Sequence, residues 1–333
     1  MSKGMRLRRA ALLVVSLLVA AGIAEGLLMA MGYEYRPMRI QTIDDYREWR
    51  YYHAFNDKHF VYDPDLIWRP RKGSGPITSQ GYRGDEIPRE KKPGSIRIFA
   101  FGDSNTLGWV GGSGPNWPAY LQEILRQEND RYTVVNAGAY GYTSFQGLRR
   151  LQEALHWQPD LALISFGMND SVPVTLSDAE FLSRRFRTLD LDRKLVSFRV
   201  GQLALAVSDG LLGRERKELV RRVSIPEYRE NLAEMIRLSR ERKIQPVLLT
   251  RPFCASADGG GWLKNFDPAY GPATIEVARQ HGALVIDVQK YFQDRRELFE
   301  DVTHFTEEGH RLMAELVAER IRPLLPGGIS ERR

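Results

Sequence analysis

Apolar and polar positions fall into two regimes along this chain. Near the start, residues 10–24, AALLVVSLLVAAGIA, carry no charge, and beyond Glu25 the stretch GLLMAMG extends the apolar character to Gly32. As one helix this segment is about 34 Å long at about 1.5 Å per residue, enough to cross a bilayer. From residue 96 the pattern changes. Short β-branched runs, IRIFAF (96–101), TVVN (133–136), LALISF (161–166), QPVLLT (245–250) and ALVID (283–287), read as strands. Helix-like stretches lie between them, near WPAYLQEILRQ, SFQGLRRLQEALHW, IPEYRENLAEMIRLSRERK and DPAYGPATIEVARQ, and a last one follows near EEGHRLMAELVAERIRPLL. Strand and helix alternating five times predicts an α/β fold, a three-layer α/β/α sandwich around a five-stranded parallel sheet. Ligands of such sheets bind beyond the C-terminal strand ends, so polar groups there are the place to seek chemistry.

The remaining segments interrupt this rhythm. Residues 33–95 are rich in Tyr, Trp, Arg and Pro, with breakers at Pro64, Pro70, Gly73, Gly75, Pro76 and Pro93, and read as an extended arm with a few short strands packed on the domain. Residues 171–225 form an insertion longer than an ordinary connection. Its eleven Lys and Arg against seven Asp and Glu leave a balance of +4, which suits a helical lid drawing an acidic substrate or a membrane surface, and equally a solvated helical excursion. The chain thus divides into a basic N-terminus (1–9), a transmembrane signal anchor (10–32), the arm (33–95), a catalytic domain (96–325) and a tail (326–333).

Charge adds little beyond this. The 48 Lys and Arg against 42 Asp and Glu give +6, but Lys3, Arg6, Arg8 and Arg9 precede the apolar segment, three arginines fall in the last dozen residues, and no nucleic-acid signature stands among the rest. Nucleic acid is therefore not an expected partner. The basic cluster predicts a single-pass membrane protein with its N-terminus in the cytosol and the rest exported to the periplasm or outside. The charged start, short apolar core and small residues Ala20, Ala21, Gly22 and Ala24 also fit a signal peptide, and a secreted product after cleavage is the alternative. Glu25 reads as an interfacial residue or a helix contact. The single cysteine, Cys254, excludes an intrachain disulfide and any multi-cysteine metal site.

Candidate chemistry gathers at the strand ends. The first strand leads into Gly102, Asp103, Ser104 and Asn105; the second into NAGAYGYTS, with Asn136, Gly138 and Gly141; the third into FGMND, with Asn169 and Asp170. After the fifth strand, before the last helix, comes DVTHFTEEGH with Asp301 and His304. A hydroxyl, glycines, an amide and an Asp-His pair are the inventory of acyl transfer: nucleophile, base, orienter and oxyanion donors. Singly, each has a bland role as a turn residue, cap or buried histidine. Asp103 reads as a brace of its loop, Asp170 as a helix cap, and His310 and His281 as structural residues of helix ends. A metallophosphoesterase would need a second set of Asp and His ligands at metal spacing, which the six histidines do not offer; no metal or cofactor is expected.

These four blocks, GDSNT, NAGAYGYTS, GMND and D-V-T-H, resemble those of the SGNH hydrolases, the GDSL-like lipases and esterases, over about residues 96–322. YDPDLIWRP and TSQGYRG in the arm look like those of membrane-anchored members. Asn105 stands where the family name has leucine. The resemblance implies a flavodoxin-like sheet and a serine esterase with Ser104 as nucleophile, His304 as base and Asp301 as its orienter. The oxyanion hole would consist of the backbone N–H groups of Ser104 and Gly141 and the amide of Asn169, with Gly138 as a turn residue. Trp109, Tyr142, Met168 and Phe305 flank the blocks and are candidates for the substrate pocket. The expected substrate is a carboxylic ester, with a short acyl such as acetyl on a carbohydrate, polysaccharide, lipid or other envelope component. An O-acyltransferase acting on an exported polysaccharide, and a non-catalytic membrane-tethered assembly partner, remain alternatives.

Overall fold

The computed structural model describes residues 3–34, 58–108, 114–174, 176–183, 195, 197–212, 219–254 and 266–326. Helix α1 (Lys3–Ala30) contains the apolar segment, and Arg8–Ala30 is long and apolar enough to cross a membrane. In the arm, β1 (Phe60–Asp63) and β2 (Ile67–Pro70) form an antiparallel hairpin. Next come β3 (Ile96–Gly102), the single-turn helix α2 (Ser104–Leu107), α3 (Trp117–Glu128), β4 (Tyr132–Asn136), α4 (Ser144–Ala154) and β5 (Leu161–Ser165). The insertion contributes β6 (Pro173–Val174), α5 (Arg199–Leu212) and β7 (Val220–Arg221). The chain then runs through α6 (Ile225–Glu241), β8 (Gln245–Leu249), α7 (Tyr270–Gln280), β9 (Leu284–Ile286), α8 (Val288–Phe292) and α9 (Glu307–Ile321).

The five apolar runs pair as one all-parallel sheet in the order β4-β3-β5-β8-β9, the flavodoxin-like arrangement. Buried on both faces, β5 reads as a continuous apolar run rather than an alternating one. One face packs on α4, α6 and α7 through Phe99, Phe101, Ile164 and Leu248; the other packs on α3 and α9 through Ile98, Ala100, Leu163 and Val247. The chain leaves β3 toward β4 on one side and crosses back to β5 on the other. This reversal opens the crevice at the C-terminal end of β3, where Gly102 leads through Asp103 to Ser104.

The arm is part of the core. Phe60, Leu66, Ile67, Trp68, Tyr82 and Ile87 are buried in the cluster on the α4 face. Trp68 Nε1 donates to the Tyr140 carbonyl at 3.0 Å, Tyr142 Oη returns a bond to the Trp68 carbonyl at 2.8 Å, and Arg83 N donates to the Asn136 carbonyl at 3.0 Å. At the root of the insertion β6 pairs antiparallel with β7, and α5 packs against α1.

Candidate active site

The turn from β3 into α2 has almost no room for side chains. A Cβ on Gly102 would sit 2.1 Å from Thr106 Oγ1, so only glycine lets the strand bend straight into the helix. Asp103 caps α2, its Oδ1 accepting from Asn105 N at 2.9 Å. Ser104 therefore opens a helix at the crevice. Gly138, expected as a turn residue, plays another part: a Cβ there would lie 2.5 Å from Leu107 N, and the absence of a side chain lets the β4 loop cross directly over α2. Gly141 has φ +67°, a left-handed conformation in which other residues are strained. Its carbonyl accepts from Nη1 of the fully buried Arg222 at 2.7 Å, and Arg222 is itself paired with the fully buried Asp178 at 2.8 Å. The arm and the insertion root thus grip the Gly141 loop from two sides.

Ser104 Oγ lies 2.9 Å from His304 Nε2, and His304 Nδ1 lies 2.6 Å from Asp301 Oδ2. The three side chains form a continuous hydrogen-bonded chain across 200 residues of sequence. The i, i+3 spacing of Asp301 and His304 is closed by a tight turn in which Asp301 Oδ1 accepts from Thr303 N at 2.7 Å and from His304 N at 2.8 Å. Burial alone would raise the Asp301 pKa; the hydrogen bond and charge of His304, with the two backbone N–H bonds, outweigh it and lower the carboxyl to about 2. It is a carboxylate at neutral pH and holds Nδ1 in its protonated form, leaving Nε2 facing the serine.

Asn169 Nδ2 donates to the Tyr142 carbonyl at 3.1 Å and reaches Asp103 Oδ2 at 3.4 Å. The amide is thus tied both to the Gly141 loop and to the residue before Ser104. Asp170 does act at a helix start. Its Oδ1 accepts from Ser144 N and Ser144 Oγ at the first residue of α4, and its Oδ2 accepts from Gly167 N. Burial pushes its carboxyl up to about 7, against the pull of the Ser144 bonds. His310 is buried at the start of α9, where Nδ1 accepts from Trp117 N at 3.3 Å.

Two contributors escaped the sequence reading. Arg251, just past β8, is buried; its Nε donates to Asp103 Oδ2 at 2.8 Å, and its Nη1 and Nη2 to the carbonyl and hydroxyl of Thr303 at 3.2 and 3.0 Å. It joins the turn bearing Ser104 to the loop bearing His304. The signal was available, since a polar residue at the C-terminal end of an apolar strand is where such sheets keep their chemistry. Asn105, which replaces the family's leucine, makes a second bridge: its Oδ1 accepts from Phe305 N at 3.3 Å.

Of the four residues considered for a substrate pocket, Tyr142 and Phe305 are members of the two core clusters. The Tyr142 hydroxyl is committed to Trp68, and the Phe305 ring packs on Phe292 and Phe299. Met168 is buried beside Asn169. Trp109 lies outside the described residues.

A parallel sheet with a Ser-His-Asp relay at its switch point is the architecture of a serine hydrolase acting on acyl groups. Residues 100–312 match the GDSL-like Lipase/Acylhydrolase family, and the chain belongs to that family. A stretch of 79 residues is 34% identical to an arylesterase of Vibrio mimicus, covering 23% of this chain and 40% of that protein; the match therefore spans less than half of the curated relative's length. Among solved structures, an acetylxylan esterase from Geobacillus stearothermophilus is 19% identical over 70% of this chain and 96% of its own, with a TM-score of 0.46. LAE5, an α/β hydrolase from the metagenome of Lake Arreo, is 22% identical over 68% of this chain and 94% of its own, with a TM-score of 0.45.

Proposed function

We propose that this protein is a membrane-anchored serine esterase that hydrolyses a carboxylic ester through an acyl-enzyme on Ser104. The observation that carries the reading is the unbroken relay from Ser104 Oγ through His304 to Asp301, at 2.9 and 2.6 Å. His304 Nε2 takes the hydroxyl proton as Ser104 Oγ forms a bond to the ester carbonyl carbon. Asp301 stabilises the imidazolium that results. The backbone N–H groups of Ser104 and Gly141 and the Asn169 amide hold the oxyanion. Asn169 exchanges its long 3.4 Å contact with Asp103 for the stronger bond to the developing charge.

As the carbonyl re-forms, the bond to the alcohol oxygen breaks and His304 hands that oxygen its proton. Water then enters, gives a proton to His304 and its oxygen to the acyl carbon; Ser104 leaves with the proton restored. The family resemblance favours a short acyl such as acetyl on a carbohydrate or envelope component. Helix α1 is read as an uncleaved signal anchor with its basic end in the cytosol, which places the domain outside it.

Full-length protein in detergent, treated with a fluorophosphonate and weighed intact, is expected to gain one adduct that Ser104→Ala abolishes. Release of acetate from a chromogenic acetate ester should fall at least ~1000-fold in the same variant. A well-folded wild-type chain that takes no adduct would overturn the proposal.

A further inference from the structure

The membrane-spanning helix carries a carboxylate whose partners come from the insertion. Glu25 Oε1 accepts from Arg199 N and Oε2 from Val200 N, both at 2.9 Å. These are the first two backbone N–H groups of α5, which an isolated helix leaves unsatisfied. Around this joint α1 is half-covered at Ala24, Glu25 and Leu28, the face that α5 occupies, while the other positions from 8 to 30 stay exposed.

Each side of the contact explains the other if both lie in lipid. A carboxylate in a spanning helix is costly without partners, and so is a helix N-terminus in a medium that cannot hydrogen-bond to it. Glu25 meets both needs at once. It stands five residues before the end of the span at Ala30, about 7.5 Å along the helix at about 1.5 Å per residue. That depth is where an interfacial helix rests, about 5–10 Å into the boundary between headgroups and acyl chains.

The sequence of α5 fits this position. From Val200 to Ser208 it contains no charged residue, and Phe198, Leu203 and Val207 are 61, 40 and 53% exposed in the isolated protein. Charged residues flank this apolar stretch on both sides, Asp190, Asp192, Arg193 and Lys194 before it and Arg214, Glu215, Arg216, Lys217 and Glu218 after it, so the apolar face is bounded by groups that stay at the headgroup level.

We propose that α5 is a second membrane element: an interfacial helix lying in the leaflet where α1 ends, its apolar face on acyl chains and its N-terminus capped by Glu25. The proposal rests on reading α1 as membrane-spanning. The insertion begins just past Asn169 and returns through β7 to Arg222, so a lipid-seated α5 fixes the tilt of the crevice against the bilayer, which a single tether leaves free.

The test places an environment-sensitive fluorophore on single cysteines in full-length Cys254→Ala protein, reconstituted in phosphatidylcholine vesicles with a minority of phosphatidylglycerol. Leu203→Cys and Val207→Cys probe α5, Leu17→Cys probes α1, and Glu297→Cys reports water. The α5 labels are expected to be quenched several-fold more by lipids spin-labelled high on the acyl chain than by aqueous iodide. Glu25→Ala should reverse that preference at position 203 without changing position 17.

Position 17 in lipid with 203 and 207 in water would overturn the second membrane element and keep the anchor. Position 17 in water would overturn the anchor reading itself. Shielding of 203 and 207 from both quenchers would show a protein partner or second copy on this face and overturn lipid as its occupant. Unchanged quenching at 203 in Glu25→Ala would overturn the capping role.

Discussion

At the scale of single residues, Arg251 is the side chain whose loss should be felt furthest. Its pairing with Asp103 is buried on both sides, so Arg251→Ala leaves a carboxylate without its cation beneath the turn that bears Ser104. Breaking such a pair costs about 3–5 kcal/mol, which urea unfolding should register as a lower midpoint with the slope unchanged. Arg251→Lys keeps the charge but cannot span Asp103 and Thr303 together. It should recover most of the stability while kcat/KM stays about 10-fold down, because Ser104 and His304 are no longer held in register. A second residue-level effect concerns acid. Burial, with Arg83, His304 and Arg251 nearby, lowers the His310 pKa from 6.5 to about 3. The unfolded chain therefore takes up a proton near pH 6.5 that the folded chain refuses until about pH 3. Stability from the neutral ring is complete above pH 6.5 and is lost as pH falls toward 3. His310→Gln, which can still accept from Trp117 N, should flatten the decline of Tm between pH 6.5 and 4. Asp301, lowered from 3.8 to about 2, contributes stability that is lost as pH falls from 3.8 toward 2, below that window.

Among the elements, the arm hairpin does the most to hold the loop of Gly141. Its sequence reads as an extended arm with a few short strands packed on the domain, and what the sequence does not show is where it packs: β1 and β2 insert Trp68 under the loop of Tyr140, Gly141 and Tyr142, with a bond in each direction. Trp68→Ala removes a fully buried indole and should cost about 3–5 kcal/mol. Trp68→Phe keeps most of the ring but loses the bond to Tyr140. Thermal melts of the two, together with the rate of fluorophosphonate labelling, would separate packing from loop positioning. The expected result is a labelling rate reduced several-fold in Trp68→Phe with only a small change in Tm. Tyr142 illustrates why such roles stay hidden: an aromatic beside a glycine block invites a pocket assignment, and only the contact with Trp68 shows it to be core. The five strands were legible to within about two residues at their ends, because runs such as LALI are apolar at every position and suit a strand buried on both faces.

On the scale of the whole molecule, a sandwich of one parallel sheet is joined to a helix able to span a bilayer. With α1 as an anchor, the full-length chain should remain in the membrane pellet after alkaline carbonate extraction, and a chain lacking residues 1–32 should be released; wild-type protein in the supernatant would remove the anchor. The sequence by itself determined the alternation of strand and helix, the apolar N-terminal segment, and the four blocks with Ser104, Gly141, Asn169, Asp301 and His304. These are properties of local pattern, since strand runs, turn glycines and the D-x-x-H spacing are read over a few residues. Tertiary structure alone decided the strand order that opens the crevice at the end of β3, the bridges made by Arg251 and Asn105, the seating of the arm beneath the Gly141 loop, and the union of Glu25 with α5. The bridges, the arm contact and the Glu25 contact join groups 72 to 200 residues apart. Separations of that size are set by which faces pack together, and no local periodicity encodes them.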